Sequence, residues 1–246
     1  MKRTKKTKDV AATDAAVDTT VDATEVETVP PTDDVVDSIE APDGEIDVDL
    51  EAKSAPDDRA DNGPFDEAEA NAVRPYIDLG GVKILPREGL NLRLEVEESS
   101  KRIVAVGLDY AGSSLQVQPF AAPRSTGLWH ETRSQIVDQI TRQGGTVTDV
   151  DGPFGPELRA QVPVAAADGS GATTRVARFV GVDGPRWFLR GVIAGEGTSS
   201  PDAAEKIEDL FRSVVVVRGT QPMPPRDLIP LKMPASAETA ATPASE

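Results

Sequence analysis

The sequence predicts an α+β fold: a single antiparallel β-sheet with two helices packed on it, preceded by a disordered acidic N-terminal arm. Three observations predict it. Period-two alternation of apolar and polar residues recurs in short segments after residue 63. Two longer segments, near 127–143 and 200–214, switch to the i, i+3/i+4 spacing of a helix. Before residue 63 neither rhythm occurs.

The arm is read from its charge. The chain of 246 residues carries a net charge of −16. Residues 1–62 hold 7 Lys/Arg and 18 Asp/Glu, a balance of −11, and no Phe, Trp or Tyr. The remainder holds 19 basic and 24 acidic residues, a balance of −5. A segment so poor in apolar bulk cannot offset the entropy of ordering, so 1–62 is expected to be disordered. Its tip is basic, with five Lys/Arg in the first eight residues. It reads as a solubilising tail or as a docking tail for a basic partner. The acids from Asp9 onward repel phosphate, so nucleic acid is not an expected partner.

The start Lys2-Arg3-Thr4-Lys5-Lys6 resembles the basic end of a signal peptide, but Asp9 and Asp14 interrupt the apolar stretch that must follow. No apolar run approaches the roughly 18 residues of a membrane span. A cytoplasmic protein without membrane insertion is the expectation. Cysteine is absent, which excludes disulfides, thiolate metal sites and a cysteine nucleophile.

The folded part is expected over 63–219. Leu90, Leu92, Leu94 and Val96 alternate with Asn91, Arg93, Glu95 and Glu97, marking a strand with one wet face. Arg102 to Tyr110 and Ser114 to Phe120 follow across turns and complete a meander. Ser125 or Thr126 is the expected cap of a helix over 127–143, with Trp129, Thr132, Ile136, Val137 and Ile140 as its buried stripe. Gly144-Gly145 suits its C-terminal end. Strands are expected at 146–150, 158–164, 173–182 and 187–194, with a hairpin turn at Asp168-Gly169-Ser170-Gly171. Ser200-Pro201 opens a second helix, an N-cap followed by Pro at the first helical position. Val214 to Val217 suits a strand buried on both faces. Five prolines between Pro222 and Pro234 make 220–234 extended, and its Met and Leu residues suggest packing along the domain. Residues 235–246 read as a disordered tail. The element order resembles the Mog1/PsbP-like fold.

Three phrases carry a further likeness. They are Phe120-Ala121-Ala122-Pro123-Arg124-Ser125, Val182-Asp183-Gly184-Pro185-Arg186-Trp187-Phe188-Leu189-Arg190-Gly191 and Arg218-Gly219-Thr220-Gln221-Pro222-Met223-Pro224-Pro225-Arg226. Together they resemble an actinobacterial family of cytoplasmic proteins built on a domain of unknown function. The resemblance runs from about Gly63 to Pro234. It implies that setting and brings no activity, cofactor or catalytic residue with it.

His130 is the only histidine, so a multi-histidine metal site is excluded. It reads as a surface residue near a helix start, or as a general base toward Ser125. The Gly-rich turns Asp151-Gly152-Pro153-Phe154-Gly155-Pro156 and Asp183-Gly184-Pro185 lead into strands, whereas a phosphate loop leads into a helix. No metal or cofactor is expected. The most informative pattern is arginine. Arg124, Arg186, Arg190, Arg218 and Arg226 all fall in the quoted phrases. Positions 186, 188 and 190 share a strand face opposite Trp187 and Leu189. Such an Arg-Phe-Arg face reads as a grip for carboxylate or phosphate, or as pairing with sheet acids and cation–π packing.

The candidate ligand- or partner-binding residues are therefore Arg124, Trp129, Arg186, Phe188, Arg190, Arg218 and Arg226. The leading expectation is a non-catalytic protein-interaction domain with a protein partner. A regulatory module binding a small anion or nucleotide through the arginine-bearing sheet face is the alternative. A hydrolase using Ser125 or an acidic residue is the third reading.

Overall fold

Alternation at 90–96 and through Ser113–Ala121 becomes strand pairing in the computed structural model, which describes residues 51–165 and 172–234. The large sheet has seven antiparallel strands: β4 (Asn91–Val96), β5 (Ile103–Tyr110), β6 (Ser113–Ala121), β7 (Thr146–Gly152), β8 (Gly155–Ala165), β9 (Ala172–Asp183) and β10 (Trp187–Gly195). Their spatial order is β4-β5-β6-β10-β9-β8-β7. The expected hairpin turn at 168–171 lies outside the described residues.

A second sheet corrects the single-sheet expectation. It comprises β1 (Phe65–Asp66), β2 (Ile77–Asp78), β3 (Val82–Ile84) and β11 (Val215–Val216), in the order β1-β11-β3-β2. The apolar run at Val214–Val217 supplies an inner strand there, with both Val215 and Val216 fully buried. Phe65 pairs in parallel with Val215. These strands have two or three residues each, too short to display an alternation.

The fold is mostly β-sheet with three helices: α1 (Arg59–Asn62), α2 (Trp129–Arg142) and α3 (Pro201–Arg212). In β10 the consecutive residues Trp187, Phe188 and Leu189 are all buried. Neighbours along a strand point to opposite faces, so both faces of the sheet are covered here. Trp187 and Leu189 join Ile207, Leu210 and Phe211 of α3 and the small-sheet residues Val82, Ile84 and Val216. Phe188 joins Trp129, Ile136 and Ile140 of α2. The two longer helices thus pack on opposite faces of the large sheet.

Helix α3 begins as its sequence dictates, with the Ser200 side chain accepting from the Ala203 N–H at 3.5 Å and Pro201 at the first position. Gly144 takes φ +79° just past α2, and Gly145 N–H returns to the Ile140 carbonyl at 2.9 Å. The start of α2 differs from expectation. Neither Ser125 nor Thr126 caps it, and Leu128 occupies the cap position. Asp183, at the end of β9, supplies the acceptor instead: Leu128 N–H donates to its Oδ1 at 2.8 Å and Trp129 N–H to its Oδ2 at 3.3 Å.

The same carboxylate holds the root of the chain. The expected arm over 1–62 lies outside the described residues as far as residue 50, but residues 51–62 pack on the domain. Ser54 is buried, donates its N–H to Asp183 Oδ2 at 3.0 Å and receives the Asp183 N–H on its carbonyl at 2.8 Å. Gly127 N–H bonds the Glu51 carbonyl at 2.8 Å. Arg59 lies over the Trp187 ring at 5.7 Å and pairs with Glu69 at 2.7 Å. Polar bonds and a cation–π contact order this segment, and composition does not register them.

Residues 222–234 form a strap between the sheets. Pairing of β5 with β6 stops at Val117. Beyond it, Ile229 N–H bonds the Pro119 carbonyl at 2.9 Å, and Arg226 N–H and the Asp227 carbonyl bond Ala121, each at 2.8 Å. Farther on, Gly81 N–H bonds the Pro230 carbonyl and Lys232 N–H the Leu79 carbonyl, both at 2.9 Å. Ile229 is buried in the core beside Leu79 and Val82. Among the described residues no helix is long and apolar enough to cross a membrane.

Candidate functional site

The strand parity that sends Phe188 toward α2 sends Arg190 the same way. On the neighbouring strand Phe120 pairs with Phe188, and Gln118 with Arg190. The start of α2 covers this patch incompletely. It leaves a pocket of about 180 Å³ lined by Phe120, Leu128, Thr132, Phe188 and Arg190, with Glu131, Gln135 and Arg226 at its sides. Three stacked rings support it. Phe120 stacks on Phe188 at 5.9 Å, and Phe188 stacks on Trp129 at 6.0 Å.

Arg190 is the charged group among these rings, and with Arg218 it is one of two arginines among the described residues whose Nε is buried without an acceptor. Its Nη2 donates to the Gln118 side-chain oxygen, and its guanidinium lies 5.8 Å from the centre of the Phe120 ring. Its Nε is buried without an acceptor. Burial holds the guanidinium below the usual arginine pKa. Among the described residues no carboxylate pairs with it. Arg178, more deeply buried, shows the ordinary solution. Its Nε and Nη2 grip Glu157 at 3.0 and 2.8 Å, and Nη2 also reaches Glu208 at 2.6 Å.

Arg226 approaches the pocket from the strap. It has φ +72°, a left-handed conformation uncommon outside glycine, and forms an exposed ion pair with Glu131 of α2. Glu131, Arg226 and Leu128 also wall an adjoining cleft of about 260 Å³ that runs on to Pro123, Thr126 and Pro225. The two hollows share that wall.

The other predicted residues lie elsewhere. Trp129 is fully buried and supports Phe188 from beneath, while its Nε1 donates to the Pro156 carbonyl at 2.6 Å. Arg186 donates to the Gly219 carbonyl at 3.1 Å. Arg218 donates to the Gln221 carbonyl at 2.9 Å. Arg124 is exposed and is not among the lining residues. His130 lies with Nδ1 3.5 Å from Arg133 Nη2, a contact within its own helix.

Sequence reasoning missed Phe120, Gln118, Glu131, Thr132 and Gln135, because only the crossing of α2 over β6 and β10 brings them together. Their one sequence-level signal was that Phe120 stands in a quoted phrase. Asp183 was missed as well. Its burial raises its carboxyl pKa, against the lowering effect of the N–H groups of Leu128, Ser54 and Trp129 and of Lys53. Lys53 donates to the Pro185 carbonyl at 2.9 Å, and burial lowers its own pKa.

A two-sheet, β-rich domain with an arginine-floored pocket is thus the class of protein that fold and site define. The chain belongs to the family described as Protein of unknown function (DUF3710), which matches residues 63–240. That match takes in the strap, in keeping with its place between the sheets. A comparison with curated proteins finds no match.

Proposed function

We propose that this domain is a non-catalytic binding module that takes a compact anionic group into the pocket floored by Arg190. The observation that carries the reading is the state of that side chain: a half-buried guanidinium with no carboxylate partner among the described residues, an Nε without an acceptor and a neutral amide as its side-chain partner. A buried charge ordinarily has a counter-charge, and leaving one without it costs stability. A ligand oxygen here gains a charge-assisted hydrogen bond from a guanidinium already partly desolvated by folding. The flanking rings of Phe120 and Phe188 suit an apolar stem behind the anion.

Size narrows the ligand. Sites that enclose drug-sized molecules run from about 300 to 1,000 Å³. A pocket of about 180 Å³ holds the anionic end of a ligand and leaves a nucleotide largely outside. Isothermal titration of the full chain with benzoate tests the reading. Arg190→Gln is expected to abolish the binding, whereas Arg186→Ala leaves it unchanged. Equal binding by wild type and Arg190→Gln removes the proposal.

A further inference from the structure

Resting on the anion-binding reading, we infer that the ligand is a carboxylate side chain presented by an extended peptide of a partner protein, lying along the groove formed by the pocket and its adjoining cleft. Four observations lead there.

The first is continuity. The Arg190 pocket and the cleft toward Pro123, Thr126 and Pro225 share Leu128, Glu131 and Arg226 as a common wall. A small anion fills only the first compartment, whereas an extended chain continues into the second, at about 3.3 Å per residue.

The second is charge. The floor offers one cation without an acid partner among the described residues, and one carboxylate balances it. The neighbouring Arg226 is already paired with Glu131, whose carboxylate stands at the edge of the same pocket. A phosphate dianion brings a second negative charge toward Glu131, and like charges disfavour it. A monoanionic carboxylate lowers that penalty, since it brings half the charge.

The third is the lining. Phe120, Leu128 and Phe188 in the pocket, with Pro123 and Pro225 in the cleft, provide apolar walls interrupted by Thr132, Thr126 and Gln135 and by the charged Glu51, Glu131 and Arg226. Apolar walls with a few convergent polar groups suit a peptide's side-chain stems and amides together.

The fourth is a fixed turn. Arg226 stands where the two compartments meet, at φ +72° in a turn that Asp227 N–H closes on the Pro224 carbonyl at 3.3 Å, with its own N–H bonded to the Ala121 carbonyl at 2.8 Å. The turn fixes the wall between the two compartments before a ligand arrives.

The test compares benzoate with the capped peptide acetyl-Ala-Leu-Glu-Leu-Ala-amide and its Gln counterpart, by titration into the full chain. The Glu peptide is expected to bind at least about tenfold tighter than benzoate, a difference of about 1.4 kcal/mol, and the Gln peptide to lose that gain. Thr126→Tyr, which fills the cleft, is expected to weaken the peptide about tenfold while benzoate binds as before. Retained benzoate binding shows that the variant's pocket is intact. If benzoate is also lost, Pro225→Tyr takes the place of Thr126→Tyr. Benzoate binding without any advantage for the peptide, or a peptide indifferent to both cleft variants, overturns the inference and leaves the anion site standing. Binding of neither probe removes both readings. A concentration-dependent dimer that the peptide dissolves gives the groove to a second copy of this chain and overturns the inference.

Discussion

Asp183, the last residue of β9, caps helix α2 by accepting the Leu128 N–H at 2.8 Å, across 55 residues of sequence. The same carboxylate receives the Trp129 and Ser54 N–H groups, so the helix start, the strand end and the root of the N-terminal arm meet on one side chain. Unmet N–H groups at a helix start are costly when buried, and a remote acceptor satisfies them as well as a local cap does.

Removing that carboxylate is therefore expected to loosen three elements at once. Asp183→Ala is expected to destabilise the domain by about 1–3 kcal/mol, since it strands buried donors. The pH dependence has a definite sign. Burial raises the Asp183 pKa above its unfolded value, so the folded state holds this proton more tightly than the unfolded state. The resulting stabilisation is fully present below the ordinary carboxylate pKa and is lost as pH rises through the raised one. Urea unfolding of wild type and Asp183→Asn across acidic to neutral pH checks it. The wild type should lose stability relative to Asp183→Asn as pH climbs through that window.

The Glu157–Arg178–Glu208 cluster yields a second expectation. Arg178 and Glu157 side chains are 4% and 1% exposed, so their charges are sealed from water. Glu157→Ala leaves the guanidinium with the Gly197 carbonyl and Glu208 alone, and is expected to cost about 3–5 kcal/mol. The paired replacement Glu157→Leu with Arg178→Met is expected to recover most of that loss, because it removes both charges. Equilibrium denaturation of the single and double variants measures the difference. Equal stability of the two would refute the account.

Gly181 lies on β9 beneath α2, and a Cβ there would stand 2.3 Å from the Trp129 ring. Gly181→Ala is expected to cost about 1–3 kcal/mol by forcing the indole off its seat. Trp129 underlies Phe188, so the near-ultraviolet dichroism of the tryptophans should change and benzoate affinity should fall together. A variant with wild-type dichroism and weakened binding would separate the two effects and count against the stacked support.

Much of the large sheet was legible in the chain. The alternation through Leu92, Leu94 and Val117, the stripe of Trp129, Ile136 and Ile140, and the Ser200-Pro201 start of α3 are local signals, written within one element each. The candidate site was legible only in part. Arg190 and Phe188 were placed on one strand face by parity, and the structure puts both in the pocket. Arg226 reaches the same pocket through the strap, whereas Arg124, Arg186 and Arg218 are not among its lining residues.

By itself, the amino-acid order determined where helices and strands of ordinary length form, because backbone periodicity and capping act over a few residues. Tertiary structure alone decided that Phe65 meets Val215 in a second sheet, that α2 and α3 take opposite faces, and that Asp183 caps a helix from another strand. It also decided that Arg190 lies half-buried beside Gln118 instead of an acid. Those outcomes depend on contacts between residues far apart in the chain. Each is selected by the packing of a whole core, and no segment carries that information in its own pattern.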